Sequence, residues 1–165
     1  DVCSSDLNMA RFEFLKEYVD DEKQNNKVKH NEKRHIFYKV ERSDIDNAEI
    51  RMGRKFPDEL KLFYLEIGYG FLCKEDKTHT NRIMHPSDIA DFYCEDEVYS
   101  YVDRDLYENN EMIFFDLGGE GDFITFKVGE QGKNSEVYYF GKKIADSLND
   151  FLIKMNLDTN YYMKK

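Results

Sequence analysis

KFPDELKLFYLEIGYGFL, residues 55–72, is the stretch that decides the fold, because it predicts one short and strongly apolar helix between clear start and stop signals. Pro57 suits the first turn of a helix, and the two acidic residues after it complement the positive end of the helix dipole. Four apolar residues share one helical stripe: Leu60, Phe63, Tyr64 and Ile67. Because Leu62 and Leu65 add apolar surface on a second face, we expect this helix to be covered on more than one side.

The segments around this helix predict further helices and a strand. Residues 9–35 are predicted to form an amphipathic helix, with Phe12, Leu15 and Val19 at helical spacing, followed by a polar connector. Residues 36–40 are β-branched and aromatic, which is typical of a strand.

The next helix is predicted at residues 45–52, with Ser43 as its N-terminal cap. Gly68 and Gly70 are predicted to end the apolar helix and to lead into a strand at residues 71–73.

The C-terminal half is predicted to be rich in strands. A short strand is expected at residues 81–84, and His85-Pro86 begins a helix that reaches Tyr93. Three strand-like runs separated by glycine-containing turns follow at residues 112–117, 122–128 and 136–141. The last helix has one apolar stripe: Ile144, Leu148, Phe151, Leu152 and Met155. Strands clustered between helices predict an α+β fold, in which helices pack a largely antiparallel sheet.

Length and charge limit the domain count and the possible partners. A chain of 165 residues with 41% hydrophobic and 35% charged residues predicts one soluble globular domain. The formal net charge of −10 argues against a nucleic-acid ligand and favours a basic partner. We expect no membrane association, because no apolar run is long enough to span a bilayer. No segment resembles a signal peptide, so we expect a cytoplasmic protein.

The first residues require separate treatment. DVCSSDL is encoded by GAC GTG TGC TCT TCC GAT CTN, which resembles the end of a common short-read sequencing adapter. We therefore expect residues 1–8 to be an unstructured assembly artefact and translation to start at Met9. Removing Asp1 and Asp6 changes the net charge from −10 to −8.

Metal binding and catalysis are disfavoured. The soft or borderline ligands Cys73, His79, His85 and Cys94 match no common zinc spacing, so we expect neither a metal nor another cofactor. Residues 118–122, GGEGD, lack the Lys-Ser/Thr of a phosphate-binding loop and instead predict a turn with positive backbone dihedrals. No histidine accompanies a nucleophile elbow or an oxyanion turn, so we expect no enzyme.

The central part of the chain resembles the SUKH superfamily, which includes relatives of a yeast cell-wall assembly regulator and many bacterial immunity proteins. The matching signature residues are Ile45, Glu49, Met52, Gly53, Phe56, Pro57, Leu60, Phe63, Tyr64, Gly68, Gly70 and Phe71. The runs NRIMHPSDI, LGGEGDFITF and IADSLNDFLIKM agree as well, so the resemblance covers residues 36–157 and leaves residues 158–165 as a tail. The signature residues are interpreted as structural, since they serve packing and chain turns.

This resemblance implies an immunity protein or antitoxin that binds and neutralises a cognate toxin domain, often a nuclease. It also leaves open a regulatory scaffold of the yeast type, which would bind partners without neutralising any.

Residues 94–111, called the acidic segment below, form the candidate surface for partner binding. They contain seven acidic residues and one arginine, a net charge of −6. The candidate contact residues are Glu95, Asp96, Glu97, Tyr99, Tyr101, Asp103, Asp105, Tyr107 and Glu108. Tyrosines supply rigid contact area, and carboxylates complement the cationic groove of a nuclease. The alternative is a solvated loop whose tyrosines partly pack on the sheet.

Overall fold

Seven antiparallel strands form one sheet in the computed structural model, which describes residues 11–20, 34–107, 109–119, 121–128 and 135–164. Each strand pairs with the next one along the chain. The strands are β1 (Ile36–Tyr38), β2 (Tyr69–Phe71), β3 (Arg82–Ile83), β4 (Glu111–Asp116), β5 (Phe123–Lys127), β6 (Val137–Tyr139) and β7 (Lys142–Ala145). The α-helices are α1 (Arg42–Met52), α2 (Asp58–Glu66), α3 (Pro86–Tyr93) and α4 (Leu148–Leu157). The predicted α+β class with a largely antiparallel sheet is confirmed.

Helix α2 is the predicted apolar helix, and one of its two predicted faces is buried. Its four stripe residues are at most 2% exposed: Leu60, Phe63, Tyr64 and Ile67. The Tyr64 hydroxyl donates a hydrogen bond to the Met84 carbonyl at 2.5 Å. The prediction for the second face was wrong, because Leu62 and Leu65 are 42% and 40% exposed. Helix α2 therefore packs on the core along one side only.

The N-terminal segment packs into the same core without forming the predicted amphipathic α-helix. Residues Glu13–Tyr18 form a 3-10 helix, preceded by Phe12 in a left-handed conformation. Phe12 and Leu15 are fully buried, whereas Val19 leaves the helix and makes a parallel bridge to Phe37 of β1. Extended pairing at the sheet edge therefore replaces the further helical turn. The expectations for residues 1–8 and for most of the polar connector lie outside the described residues.

Helix α1 begins earlier than predicted. It starts at Arg42, and the carboxylate of Asp44 accepts a hydrogen bond from the Glu41 backbone N–H at 3.0 Å. Ser43 is therefore inside the helix and does not cap it, which corrects the prediction. Gly53 ends the helix with φ 66°, the left-handed conformation that favours glycine.

Strand β2 lies two residues earlier than the predicted strand at residues 71–73, so Gly70 is part of the strand. A Cβ atom on Gly70 would lie 2.2 Å from the carbonyl oxygen of Ile36 in β1. The backbone of β1 therefore approaches too closely for any side chain at this position. The strand was predicted to begin only after Gly70, because the local sequence does not show the close approach of β1 that requires glycine within the strand.

The end of the sheet also differs from the prediction. Ile144 belongs to β7 and not to the last helix, because Phe140 and Gly141 form a tight turn that adds a strand to the sheet. Helix α4 begins at Leu148, and the Ser147 hydroxyl accepts a hydrogen bond from the Asp150 backbone N–H at 3.0 Å. The rest of the predicted stripe is confirmed as buried: Leu148, Phe151, Leu152 and Met155.

Residues after α4 continue the packing. Tyr161–Met163 form a 3-10 turn in which Tyr162 is 2% exposed. The Tyr161 hydroxyl donates to the Ile144 carbonyl at 2.9 Å. The segment predicted as a tail thus contacts β7.

His35 is a buried link between the N-terminal segment and the loop after β2. Its Nδ1 accepts a hydrogen bond from the Cys73 backbone N–H at 2.9 Å, and the Tyr18 ring packs edge-on against it at 4.7 Å. Burial lowers the pKa of His35 to about 4, and the nearby Arg34 guanidinium lowers it further. The imidazole is therefore neutral in the folded protein at neutral pH.

We predict that acid destabilises the fold through His35. The folded state binds fewer protons than the unfolded chain between the folded pKa of about 4 and the ordinary histidine pKa of about 6.5. The contribution of neutral His35 to the free energy of unfolding is therefore present above pH 6.5 and is lost as the pH falls. The expected loss is about 2 kcal/mol between pH 7 and pH 5. Urea unfolding at both pH values measures the loss. In His35→Asn, whose amide oxygen can still accept from Cys73, the loss is expected to be much smaller, and an equal loss in both proteins would contradict the assignment.

Candidate partner-binding surface

The acidic segment leaves α3 as a chain of two short turns, each capped by one of its own carboxylates. Asp96 accepts a hydrogen bond from the Val98 backbone N–H at 3.0 Å, and Asp103 accepts one from the Asp105 backbone N–H at 3.1 Å. The turns are the 3-10 helices Glu97–Tyr99 and Arg104–Leu106. Asp96 and Asp103 therefore fix the backbone of the segment while they also contribute charge.

Two of the predicted contact tyrosines hold the segment against the sheet. Tyr99 is only 7% exposed and packs against the rings of Phe92, at 5.8 Å, and Phe123, at 6.3 Å. The Tyr107 hydroxyl donates to the Gly121 carbonyl at 2.5 Å and accepts from the Phe123 backbone N–H at 3.0 Å. Burial raises the pKa of Tyr99 to about 12 and raises that of Tyr107 as well. Both phenols are therefore neutral, and Tyr99 offers little area to a partner.

The carboxylates of the segment mostly point to solvent. The exposed acidic residues are Glu95, Asp96, Glu97, Asp103 and Asp105. Glu111 is buried at the start of β4, and Glu108 lies outside the described residues. The single arginine of the segment, Arg104, places its guanidinium 4.2 Å from the centre of the Phe92 ring. The cation thus packs inward on an aromatic face, while the exposed surface stays negative.

Apolar side chains are exposed between these acids. Tyr101 is 57% exposed, and Val98 and Leu106 are similarly open to solvent. Tyr101 was among the predicted contact residues, whereas Val98 and Leu106 were not. In a segment with no helical or strand periodicity, the sequence does not indicate which apolar residues are exposed. The segment therefore presents exposed apolar side chains that alternate along the chain with exposed carboxylates.

The sheet orients this surface away from α4. Phe123 in β5 packs against Phe92, at 5.7 Å, on the side of α3 and the acidic segment. Phe126 of the same strand stacks on Phe114, at 3.9 Å, and Phe114 contacts Phe151 of α4. Because residues 123 and 126 of a strand point to opposite faces, the acidic segment and α4 cover opposite faces of the sheet.

The signature residues occupy the interior, with few exceptions. Phe71 is partly exposed and Gly53 is exposed, whereas the remaining signature side chains are mostly buried. Buried Glu49 accepts a hydrogen bond from the Phe56 backbone N–H at 2.8 Å and pairs with Lys61 at 3.1 Å. Its carboxylate therefore joins α1 to the chain before α2.

The four candidate zinc ligands lie in separate environments. Cys73 is buried near His35, and the His79 Nδ1 is 3.4 Å from the Asp76 carboxylate. The Nδ1 of His85 accepts a hydrogen bond from Ser87, and Cys94 donates to the Arg51 carbonyl. Within the described residues, no three His, Cys, Asp or Glu side chains converge as a metal site. Over the same part of the chain, no helix has the length and apolarity to cross a membrane.

Comparison with known proteins gives one family and one curated relative. Residues 39–154 match the family described as SMI1 / KNR4 (SUKH-1). The curated relative is named "Immunity protein YxxD" and comes from Bacillus subtilis (strain 168). The two sequences are 37% identical over 135 residues, which cover 79% of this chain and 90% of the relative.

Proposed function

This chain belongs to the SMI1 / KNR4 family (SUKH-1), and we propose that it is a bacterial immunity protein that neutralises a cognate toxin domain by binding it. The relative named as an immunity protein supports this role over most of both chains. The proposed action is stoichiometric occlusion. It requires only a stable surface, and the chain needs no cofactor for it.

The observation that carries the proposal is the exposed face of the acidic segment. It carries both exposed carboxylates and exposed apolar side chains, and its backbone is fixed by the caps of Asp96 and Asp103. Such a surface suits a basic partner, because complementary charge accelerates encounter while apolar contact supplies affinity. A toxin domain that binds nucleic acid carries a cationic groove of the required sign, so we propose a nuclease as the partner.

An immunity gene is expected to lie next to the large gene that encodes its toxin. The test is therefore a calorimetric titration of the full chain into the purified C-terminal domain encoded by such a neighbouring gene, with an activity assay on the same samples. We expect saturable binding and loss of toxin activity that is complete at one equivalent. Inactivation at far below one equivalent would indicate catalysis and contradict occlusion. Absence of binding at micromolar concentrations would contradict the immunity role toward this toxin and favour a regulatory scaffold.

A further inference from the structure

The tip of the β6–β7 hairpin carries an unusual residue for its turn. Tyr139 of β6 pairs with Lys142 of β7, so Phe140 and Gly141 alone form the connection. Their φ angles are 45° and 79°, as in a type I′ turn, which requires positive φ at both central residues. Asn, Asp and Gly fit the first of these positions, whereas an aromatic side chain is strained there. Phe140 thus occupies a position where Asn would serve the fold better.

Phe140 is not hidden in the core. It is 42% exposed, and its ring stacks on the Tyr107 ring with centroids 6.0 Å apart and planes inclined by 27°. Tyr139 packs edge-on beside it at 4.7 Å. Because Tyr107 belongs to the acidic segment, the hairpin tip and that segment form one continuous surface.

Acidic side chains lie near the hairpin tip, and both lysines of the hairpin already contact other groups of the chain. Asp105 lies two residues before Tyr107. Burial raises the pKa of Tyr139, and the nearby charge of the exposed Asp122 raises it further. On the hairpin itself, the Lys143 ammonium pairs with Asp146 at 2.7 Å, and the Lys142 ammonium donates to the Lys164 carbonyl at 2.7 Å. A guanidinium can stack on an exposed ring and pair with a carboxylate at the same time.

We propose that Phe140, supported from below by Tyr107, is the aromatic anchor that receives an arginine-bearing surface of the toxin domain. This inference rests on the proposed function and adds the β6–β7 hairpin to the interface. It explains why a strained and partly exposed aromatic residue stands at a turn: strained backbone is retained where a site uses the residue it holds. A few central aromatic residues commonly carry most of the binding energy of an interface.

Phe140→Asn separates binding from folding. Asn suits the type I′ turn, so we expect the melting temperature to stay within about 3 °C of the wild type, because relief of strain offsets lost packing. We expect the dissociation constant for the purified toxin domain to rise at least about tenfold, mainly through faster dissociation. Phe140→Tyr keeps the aromatic ring and should bind the toxin domain with near wild-type affinity. The matched control is Leu62→Gln on α2, the helix whose Glu59 contacts the start of α4. Leu62 is also 42% exposed, and the affinity of this variant for the toxin domain should not change.

The outcomes distinguish this inference from the proposed function. If the wild type does not bind the toxin domain, the proposed function fails and the anchor with it. If the wild type binds the toxin domain and Phe140→Asn binds it with unchanged affinity, the anchor is overturned while the proposed function stands. A fall in melting temperature of more than about 10 °C would make Phe140 a packing residue and would also overturn it.

Discussion

Phe63→Ala is expected to lower the free energy of unfolding by about 3–5 kcal/mol, the range found when a buried aromatic residue is truncated. Phe63 has no exposed area and lies where three parts of the chain meet. Its ring packs edge-on against Phe12 of the N-terminal segment, at 5.0 Å, and against Phe37 of β1, at 5.7 Å. Removing the ring therefore leaves a cavity and loosens both neighbours. A loss of this size is a large share of the stability of an ordinary domain.

Two controls separate cavity formation from a general effect of substitution on α2. Phe63→Leu keeps most of the apolar volume and is expected to cost less than about 1.5 kcal/mol. Leu62→Ala changes the neighbouring but exposed position and is expected to cost less than about 1 kcal/mol. Urea unfolding at pH 7 measures all three variants. An unchanged unfolding midpoint for Phe63→Ala would mean that α2 is not the centre of the core.

Local sequence signals predicted the elements whose ends are encoded within a few residues. The starts of α2 and α3 follow from Pro57 and from His85-Pro86, because proline and capping residues act on the nearest turn. The glycines of residues 118–121 were correctly predicted to need positive φ. These features depend on short-range geometry, which one sequence contains.

Other features depend on distant parts of the chain and were missed or wrongly predicted. The N-terminal segment has helical spacing, but pairing of Val19 with β1 ends the helix early. Glu59 of α2 accepts a hydrogen bond from the backbone N–H of Leu148 at the start of α4, 89 residues away. A single sequence gives no signal for such a contact, because the partner is a backbone group without a side-chain identity.

The charge of the candidate surface could be predicted from the sequence, but which of its aromatic residues are buried or exposed could not. The acidic residues near Asp96 were expected to be exposed because ionised carboxylates are costly to bury, and the structure places them at the surface. Tyrosine has no such strong preference for the surface over the interior. The sequence therefore did not show that Tyr99 packs inward while Tyr101 points outward. No role for Phe140 was indicated by the sequence, because the run at residues 136–141 predicts a strand that continues through the turn.

Reversing three charges on the acidic segment is expected to slow association with a basic toxin domain by about tenfold to a hundredfold at low salt. The variant is Glu95→Lys, Glu97→Lys and Asp105→Lys, because these exposed carboxylates do not cap a turn of the segment. Asp96 and Asp103 are kept, since each accepts a backbone hydrogen bond whose loss would change the fold of the segment. The melting temperature should therefore stay close to that of the wild type.

The control variant must change the total charge equally, because a less negative chain attracts a basic partner less strongly wherever the charges are placed. Glu17→Lys, Asp46→Lys and Glu66→Lys alter three exposed acids outside the segment, and either triple variant shifts the formal net charge from −10 to −4. Stopped-flow association at about 20 mM and 300 mM salt separates the two effects, since screening shortens the reach of charge to a few ångströms at high salt. If the acidic segment is part of the interface, the association rate constant at low salt should fall much more in the segment variant than in the control. This difference should shrink at high salt. Equal losses in both would mean that only the net charge steers the toxin, and wild-type rates in the segment variant would remove the acidic segment from the interface.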